Sequence, residues 1–390
     1  MIKLGIDKIK SATFGALTVS EKDGLIEFFR FSEKQRKFNE LNPDDVRVNN
    51  QKSLATSSVT IDFYSDTENL SLKIKTFVST GQTKCYVDLL VDGKLFAHDG
   101  YDGDRDGQID FDLRLNKGNK RITIYLCNLF KCAIESMAID DQASFCPITD
   151  CEKFLFVGDS ITQGYTSVYP SNSYVNSVAR AFNAHAINQS IGGAFFNADM
   201  LDDNLGFIPD KIFIAYGTND WSKRDDLFVR ADAFCKRVTE LFNKSEIIAL
   251  TPIWRGDIKL LDKNRDVTFS EMQDNLKAIF HKYPNIKVVD GVNLVPHDEK
   301  YFIQDILHPN DDGFREYAKN LLSILKGDKT MEEKEKNVQE NQNEESKLVG
   351  GFKSFFKKVK DTLGKVDAAL EKVNNKEDFS GDEKTEENKD

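Results

Sequence analysis

The spacing of apolar residues along the chain changes at about residue 148 and again at about residue 328. Up to residue 147, apolar and polar residues alternate in short runs, as in 57–79 and 120–127, and Asp92-Gly93 gives a hairpin signal. Alternation with a period of two is typical of strands that bury one face. Short strands at this spacing predict an antiparallel, jelly-roll-like β-sandwich over residues 1–147.

Residues 148–327 instead alternate short apolar runs with longer amphipathic stretches. The apolar runs predict strands at 153–157, 184–189, 211–216, 246–251 and 286–290. The amphipathic stretches predict helices at 172–183, 226–243, 269–282 and 311–325. Strands alternating with helices indicate crossover connections and a parallel sheet covered on both faces. We therefore predict a three-layer α/β/α domain of the flavodoxin-like kind.

The C-terminal part of the chain is mostly polar. Residues 328–346 are charged and predict a disordered linker, and residues 374–390 predict an acidic disordered tail. Between them, residues 347–373 place apolar side chains at steps of three and four on a lysine-rich segment, which predicts a cationic amphipathic helix. Three interpretations of this helix stay open: it binds an anionic membrane surface, it packs on the protein or on a second copy, or it remains partly disordered.

Charge and composition exclude some classes of function. A net charge of −11 argues against nucleic-acid binding, which needs a basic surface. The sequence has no apolar run of signal-peptide or membrane-spanning length. Its six cysteines lack the CxxC spacing of a zinc site, so we expect no metal or other cofactor and reduced thiols, with disulfides left open. These features predict a cytoplasmic protein, peripheral at the membrane if the segment 347–373 binds lipid.

A candidate nucleophile follows the first strand of the α/β part. The apolar run 153–157 ends at Gly158-Asp159-Ser160, where the chain is expected to turn into a helix. A serine there can present its hydroxyl at the carboxyl edge of a parallel sheet, where nucleophiles commonly lie. The same tripeptide also occurs in ordinary turns, so the interpretation depends on finding its partners.

A neutral serine needs a base, and the chain has five histidines. His308 lies in DILHPND, between the last predicted strand and the last helix, and Asp305 precedes it by three residues. That spacing allows the carboxylate to orient the imidazole and to stabilise the imidazolium. His98 and His281 are interpreted as surface residues, and His297, in a loop near the same sheet edge, is the competitor.

Acyl transfer also needs donors where negative charge develops on the carbonyl oxygen. NQSIGGA, residues 188–194, places a glycine pair after the second strand. GTND, residues 217–220, follows the third strand, and the side chain of Asn219 carries an NH₂ donor. Serine, glycine, asparagine and histidine thus all follow strands that end at one edge of the sheet.

These four segments resemble the four blocks of the SGNH, or GDSL-type, hydrolases, in the family's order and over about 170 residues: GDSITQGY, NQSIGG, GTND and DILHP. The resemblance implies a catalytic triad of Ser160, His308 and Asp305. It also implies an oxyanion hole formed by the amides of Ser160 and Gly193 and the side chain of Asn219. We match Gly193 rather than Gly192 because it stands five residues after Asn188, as in the family block. A preceding β-sandwich is similar to that of two-domain carbohydrate esterases that remove short acyl groups, chiefly acetyl.

Other residues are candidates for substrate contacts or for a metal site. Asp159 and the pair Trp254-Arg255, which follows the fourth strand, are expected near the substrate, although a core tryptophan is an equal alternative. DGDRDG, residues 102–107, resembles the start of a calcium loop, but Leu113 stands where an EF-hand has glutamate. A polar hairpin is the favoured interpretation of this loop, with calcium left open.

Two classes of function follow from the sequence. The leading hypothesis is a metal-independent serine esterase that forms an acyl-enzyme on Ser160 and takes short-acyl, chiefly acetylated, carbohydrates. Within enzymes, the alternative is a lysophospholipase or thioesterase held at a membrane by the segment 347–373. Outside enzymes, the alternative is a catalytically silent glycan-binding protein, against which the intact triad argues.

Overall fold

The computed structural model describes residues 1–41 and 50–327. Residues Met1–Leu325 form one compact unit that contains both the β-rich and the α/β parts. The last described residue is 327. The predicted linker, amphipathic helix and acidic tail, at 328–346, 347–373 and 374–390, therefore lie outside the described residues. Within the described part of the chain, no helix combines the length and the apolar character needed to cross a membrane.

The N-terminal part contains two six-stranded antiparallel sheets that share one apolar core, which confirms the predicted antiparallel sandwich. Leu72 and Ile74 from one sheet and Val87 and Leu89 from the other are fully buried in this core. The strands are β1 (Ile2–Lys3), β2 (Thr13–Phe14), β3 (Thr18–Lys22), β4 (Leu25–Phe29), β5 (Thr60–Ser65), β6 (Asn69–Val78), β7 (Lys84–Val91), β8 (Lys94–Asp102), β9 (Gly107–Arg114), β10 (Lys120–Tyr125), β11 (Phe130–Ile139) and β12 (Cys146–Pro147).

The order of the strands brings distant segments of the chain together. One sheet has the order β3-β4-β11-β6-β9, with β1 on β11, and the other has the order β12-β5-β10-β7-β8, with β2 on β5. Among the described residues of this part, three short helices interrupt the strands, which period-two alternation did not predict: α1 (Ile6–Ser11), α2 (Glu33–Leu41) and α3 (Asn50–Ser53). Residues of α2 and α3 contact the α/β part, as described below.

The α/β part is built on a five-stranded, all-parallel sheet of order β14-β13-β15-β16-β17, as predicted. Its strands are β13 (Lys153–Gly158), β14 (His185–Asn188), β15 (Lys211–Ala215), β16 (Glu246–Leu250) and β17 (Ile286–Val289). Its helices are α4 (Ser160–Gln163), α5 (Tyr174–Ala181), α6 (Thr218–Lys223), α7 (Leu227–Leu241), α8 (Ile258–Leu261), α9 (Phe269–His281) and α10 (Asp311–Leu325). After β13, the chain forms β14 on one side of β13 and then β15 on its other side. The strand order therefore reverses at β13.

Helices cover both faces of this sheet, which confirms the three layers. Successive residues of β13 point to opposite faces because strand side chains alternate. Leu155 and Val157 join the core under α7 and α9, whereas Phe154 and Phe156 join the core under α5 and α10. Ligands of such sheets bind at the carboxyl ends of the strands, near the point where the strand order reverses. That point is the end of β13.

Candidate active site

Ser160 begins helix α4 directly after strand β13. Gly158 is required at the strand end because a Cβ there would lie 2.4 Å from the Thr162 hydroxyl and 2.7 Å from the Ala215 carbonyl oxygen. Asp159 then caps the helix, since its side chain accepts a hydrogen bond from the backbone N–H of Ile161 at 3.0 Å. These two residues fix the turn that places the Ser160 side chain at the carboxyl edge of the sheet.

The structure brings Ser160, His308 and Asp305 together in a hydrogen-bonded row. The Ser160 Oγ lies 2.8 Å from His308 Nε2, and His308 Nδ1 lies 2.5 Å from Asp305 Oδ2. The other carboxylate oxygen of Asp305 accepts from the backbone N–H groups of Leu307 and His308, both at 2.9 Å. Asp305 thereby fixes both the ring and the main chain of His308. With Nδ1 protonated toward Asp305, Nε2 is the atom free to take the serine proton.

The charge state of Asp305 suits this role. Partial burial acts to raise its pKa, but the hydrogen bonds from the side chain and backbone of His308 outweigh it and lower the pKa to about 2. The carboxylate is therefore ionised at every pH at which the protein is expected to work. A fixed negative charge beside His308 stabilises the imidazolium that forms when the serine proton is transferred.

The other histidines lie elsewhere. His297, the competitor from the sequence, stacks on Trp254 with ring centroids 5.3 Å apart, and its Nε2 lies 2.9 Å from the carbonyl oxygen of Val292. The interpretation of His98 as a surface residue is wrong. Its ring is packed between Tyr86 and Tyr169, and its Nδ1 lies 2.7 Å from the buried carboxylate of Asp88.

Backbone donors lie beside Ser160 in a turn formed by residues 191–194. A hydrogen bond from the N–H of Ala194 to the carbonyl oxygen of Ile191 closes this turn. Gly193 has a φ of +83°, the left-handed conformation that the third position of a type II turn requires. The N–H of Gly192 donates to Gln163 Oε1 at 2.7 Å, so it is already used. The N–H groups of Ser160 and Gly193 have no acceptor among residues 1–41 and 50–327. This difference favours Gly193 over Gly192 as a donor to substrate.

Asn219 supplies the side-chain donor that the sequence predicted. It lies in the first turn of α6, is 5% exposed, and its Nδ2 donates to the carbonyl of Ala194 at 3.2 Å. This bond ties Asn219 to the turn that contains Gly193. The second N–H of the same amide group is left for a ligand. The three predicted donors are therefore held on one connected framework.

The β-sandwich holds this framework in place through Arg30, which follows strand β4. Arg30 is 1% exposed, and its guanidinium donates to the carbonyl oxygens of Asn188 and Ser190, at the end of β14, and of Ala55 in the sandwich. Gln35 adds a hydrogen bond of 2.9 Å to Gln189. The loop that carries Gly193 is thus fastened to the sandwich. Nothing in the sequence indicated this, because Arg30 lies more than 150 residues from the loop.

The three residues predicted to lie near the substrate, Asp159, Trp254 and Arg255, contact other protein groups in the structure. Asp159 is 3% exposed and caps α4. Arg255 is 5% exposed; its guanidinium pairs with both carboxylate oxygens of Asp257, at 2.6 and 2.8 Å, and donates to Thr218. Arg255 therefore stabilises the start of α6 through Thr218. The prediction that it lines the substrate mouth is wrong. Trp254 is half-buried, with one ring face against His297.

Tyr165, the aromatic residue of the GDSITQGY segment, was not among the predicted site residues. The ring of Tyr165 lies 4.5 Å from that of His308, and its hydroxyl contacts Gln82 of the sandwich. Because Tyr165 lies only five residues after Ser160, the motif itself gave the signal. Tyr165 therefore contacts both His308, the candidate general base, and Gln82 of the β-sandwich.

The calcium and cysteine questions have structural answers within the described residues. The acidic loop joins β8 to β9; Asp102 pairs with Lys84 and Tyr86, and Asp106 accepts from the N–H of Val78. In residues 1–41 and 50–327, no group of three or more acidic, histidine or cysteine side chains is placed to hold a metal. All six cysteines are free thiols.

Comparison with known families decides the class of this site. Residues 156–316, which span all four blocks, match the model of the GDSL-like lipase/acylhydrolase family. These residues therefore form a hydrolase domain of the GDSL-like type. No curated protein matches its sequence.

Solved structures share the fold of the hydrolase at low identity. A Bacteroides ovatus protein described as a GDSL-like lipase has a TM-score of 0.66 at 15% identity, covering 82% of this chain and 95% of its own. The salicylyl-acyltransferase of a tetracycline biosynthetic pathway has a TM-score of 0.65 at 18% identity, covering 79% and 92%. A family two carbohydrate esterase from Clostridium thermocellum, in complex with cellohexaose, has a TM-score of 0.53 at 15% identity, covering 70% and 92%. These likenesses extend over both parts of the hydrolase.

Two buried carboxyls lie beneath the site of the hydrolase. Burial raises the pKa of Asp159 to about 6 and that of Asp220 to about 7. Asp220 is fully buried; its Oδ1 accepts from the N–H of Phe196, and its Oδ2 has no partner in the described part of the chain. An unfolded aspartate has a pKa near 3.9, so unfolding releases the proton of Asp220 between about pH 4 and pH 7.

We expect Asp220 to make the folded protein less stable as the pH rises from about 4 to about 7. Folding of the ionised form buries an unpaired charge, whereas the protonated form below about pH 4 carries no such cost. Asp220→Asn should therefore stabilise the protein more at pH 8 than at pH 5, by on the order of 1–4 kcal/mol. Urea unfolding at both pH values measures this, with the exposed Asp203→Asn as control. An equal effect of Asp220→Asn at both pH values would contradict it.

Proposed function

We propose that the hydrolase removes short acyl groups, acetyl first, from carbohydrate esters through an acyl-enzyme on Ser160. The observation that carries this proposal is the row of Ser160, His308 and Asp305, with distances of 2.8 and 2.5 Å, beside unused N–H groups of Ser160 and Gly193. A serine with a base and a nearby set of oxyanion donors is suited to acyl transfer.

The first half of the reaction forms the acyl-enzyme. The Ser160 Oγ forms a bond to the ester carbonyl carbon while its proton passes to His308 Nε2. The carbonyl oxygen becomes an oxyanion that accepts hydrogen bonds from the Ser160 and Gly193 amides and from Asn219 Nδ2. When the tetrahedral intermediate collapses, the bond to the alcohol oxygen breaks and His308 returns the proton to that oxygen.

The second half repeats these steps with water. His308 Nε2 takes a proton from water, whose oxygen bonds to the acyl carbon, and the oxyanion again lies among the same donors. Collapse breaks the bond to Ser160 Oγ, which regains its proton from His308. The products are the free acid and the starting enzyme, and no cofactor is needed to balance the reaction.

The carbohydrate part of the proposal is supported by the fold shared over both parts of the chain with a carbohydrate esterase in complex with cellohexaose. It is also supported by the sandwich itself, which contacts the catalytic loops through Arg30 and Gln82. Because the sandwich contacts these loops, it is placed to contact the alcohol part of a large substrate. Tyr165, beside His308, offers an aromatic surface for a sugar ring.

A substrate panel tests this proposal. Initial rates of acid release are compared for acetylated xylo-oligosaccharides, a lysophospholipid and an acetyl thioester, with Ser160→Ala as the blank. We expect the highest kcat/KM on the acetylated sugar and none in the blank. Preference for the lysophospholipid or thioester would overturn the substrate assignment. Glycan binding without turnover of any ester would favour the silent binding protein.

A further inference from the structure

Two lysine ammonium groups lie behind the amides that we assign to the oxyanion hole. The Nζ of Lys52 donates to the carbonyl oxygen of Gly192 at 3.1 Å. The Nζ of Lys223 donates to Oδ1 of Asn219 at 3.3 Å. Lys52 lies in α3, in the N-terminal part of the chain, and Lys223 is the last residue of α6. Each cation therefore reaches the framework from a different part of the fold.

Each of these carbonyl groups belongs to the same amide as one of the donors. The carbonyl of Gly192 and the N–H of Gly193 are the two ends of one peptide group. Likewise, Oδ1 and Nδ2 of Asn219 are the two ends of one side-chain amide. A cation on the oxygen of an amide draws electron density from its nitrogen, so the N–H becomes a stronger donor. Hydrogen bonds in such chains strengthen one another by roughly 10–30% each.

The position of Lys52 is costly, which argues against an incidental contact. Its side chain is half-buried, and burial, followed by repulsion from Lys223, holds the pKa of Lys52 below its ordinary value. Within residues 1–41 and 50–327, no carboxylate forms an ion pair with Lys52. On the side of the sandwich, the guanidinium of Arg30 donates to the backbone carbonyl of Lys52. A charge that appears on a nearby oxyanion would relieve this repulsion.

We propose that Lys52 and Lys223 are positioning residues of the oxyanion hole, which act through the Gly192–Gly193 peptide and the Asn219 amide. The inference rests on the proposed function, because it needs an oxyanion to form beside Ser160. It assigns the N-terminal part of the chain a role in catalysis: Lys52 orients and polarises a donor to the transition state.

Lysine-to-methionine variants of the full-length protein test the proposal on p-nitrophenyl acetate. We expect Lys52→Met and Lys223→Met each to lower kcat by roughly 10-fold to 100-fold, less than the loss of a donor itself, with KM within about threefold of wild type. Affinity for a trifluoromethyl ketone, which forms a tetrahedral oxyanion with the serine, should fall by the same factor as kcat/KM. Lys300→Met, an exposed lysine paired with Asp298, is the control.

Conservative variants and a double-mutant cycle separate this role from a structural one. Lys52→Arg and Lys223→Arg should retain most of kcat, because the charge and the donor remain. In an Asn219→Ala background, Lys223→Met should have no further effect, whereas Lys52→Met should still lower kcat. Equal losses in the Met and Arg variants, or a loss that follows a lowered Tm, would overturn the proposal, as would Met variants within twofold of wild type.

The pH dependence of Lys52 gives an independent readout. Deprotonation of Lys52 removes its charge, so kcat of the wild type should fall as the pH rises through the lowered pKa of this lysine. Lys52→Arg should hold kcat constant to higher pH, because arginine stays protonated. Identical alkaline limbs in the two proteins would contradict the role of the charge. Full activity of Ser160→Ala would instead show that the proposed function has failed.

Discussion

Replacing Ser160 with alanine is expected to lower kcat for p-nitrophenyl acetate by roughly 10⁴-fold to 10⁶-fold, because removing the nucleophile of a triad abolishes acyl-enzyme formation. The change deletes a single oxygen atom, whose hydrogen bond in the structure is with His308. We therefore expect Tm to change by only a few degrees. Steady-state rates and thermal unfolding of the same preparations measure both quantities.

A matched control is available in helix α5. Ser177 is partly buried, and its hydroxyl donates to the backbone carbonyl of Ser171, away from Ser160 and His308. Ser177→Ala should keep kcat within about twofold of wild type, as for substitutions outside the site. If Ser160→Ala retained activity equal to that of Ser177→Ala, Ser160 would not be the nucleophile.

Asp305→Asn is expected to lower kcat by roughly 10²-fold to 10⁴-fold. The carboxylate receives one hydrogen bond from the imidazole and two from the backbone, and an amide cannot replace both its charge and its acceptors. Asparagine therefore favours the wrong imidazole tautomer and no longer stabilises the imidazolium. Because the pKa of Asp305 is about 2, the wild-type residue is charged throughout the working range.

The pH dependence of kcat distinguishes the loss of the Asp305 carboxylate from a mere shift in the pKa of an active-site group. We expect Asp305→Asn to stay impaired at every pH from about 5 to 9, because no protonation state of asparagine restores the charge. Asp298→Asn is the control, since Asp298 is an exposed residue that caps the short helix Glu299–Tyr301. Recovery of wild-type kcat in Asp305→Asn at any pH in this range would contradict the assigned role.

The sequence was sufficient to predict the strands and the longer helices of the α/β part and the row of Ser160, His308 and Asp305, because these depend on patterns within single segments. The runs 153–157 and 311–325 differ from β13 and α10 by no more than one residue at either end. Parallel strands end at one edge, so residues after successive strands were expected together. Ser160, His308 and Asp305 are within hydrogen-bonding distance of one another in that order.

Contacts between the two parts of the chain could not be predicted in this way. Arg30 and Lys52 lie in irregular or short helical segments, and no periodicity connects them to the loop at 188–193. Their positions depend on how the sandwich packs against the sheet. The burial of Arg255 was missed for a related reason: its partner Asp257 is only two residues away, but the sequence does not show which way either side chain turns.

The sandwich of this hydrolase is accordingly more than an appended module. It fastens the loop that carries Gly193 through Arg30, and it brings Lys52 to the carbonyl of Gly192. Movement of the sandwich relative to the sheet would displace both contacts. We therefore expect the geometry of the oxyanion donors to depend on residues far outside the four catalytic blocks.

Covalent trapping tests the central claim most directly. The full-length protein is incubated with a fluorophosphonate, which attaches to an activated serine, and the adduct is located by mass spectrometry of proteolytic peptides. We predict one adduct per chain, on Ser160, and strongly slowed labelling in His308→Ala. An adduct on another residue, or equal labelling of Ser160→Ala, would contradict the account.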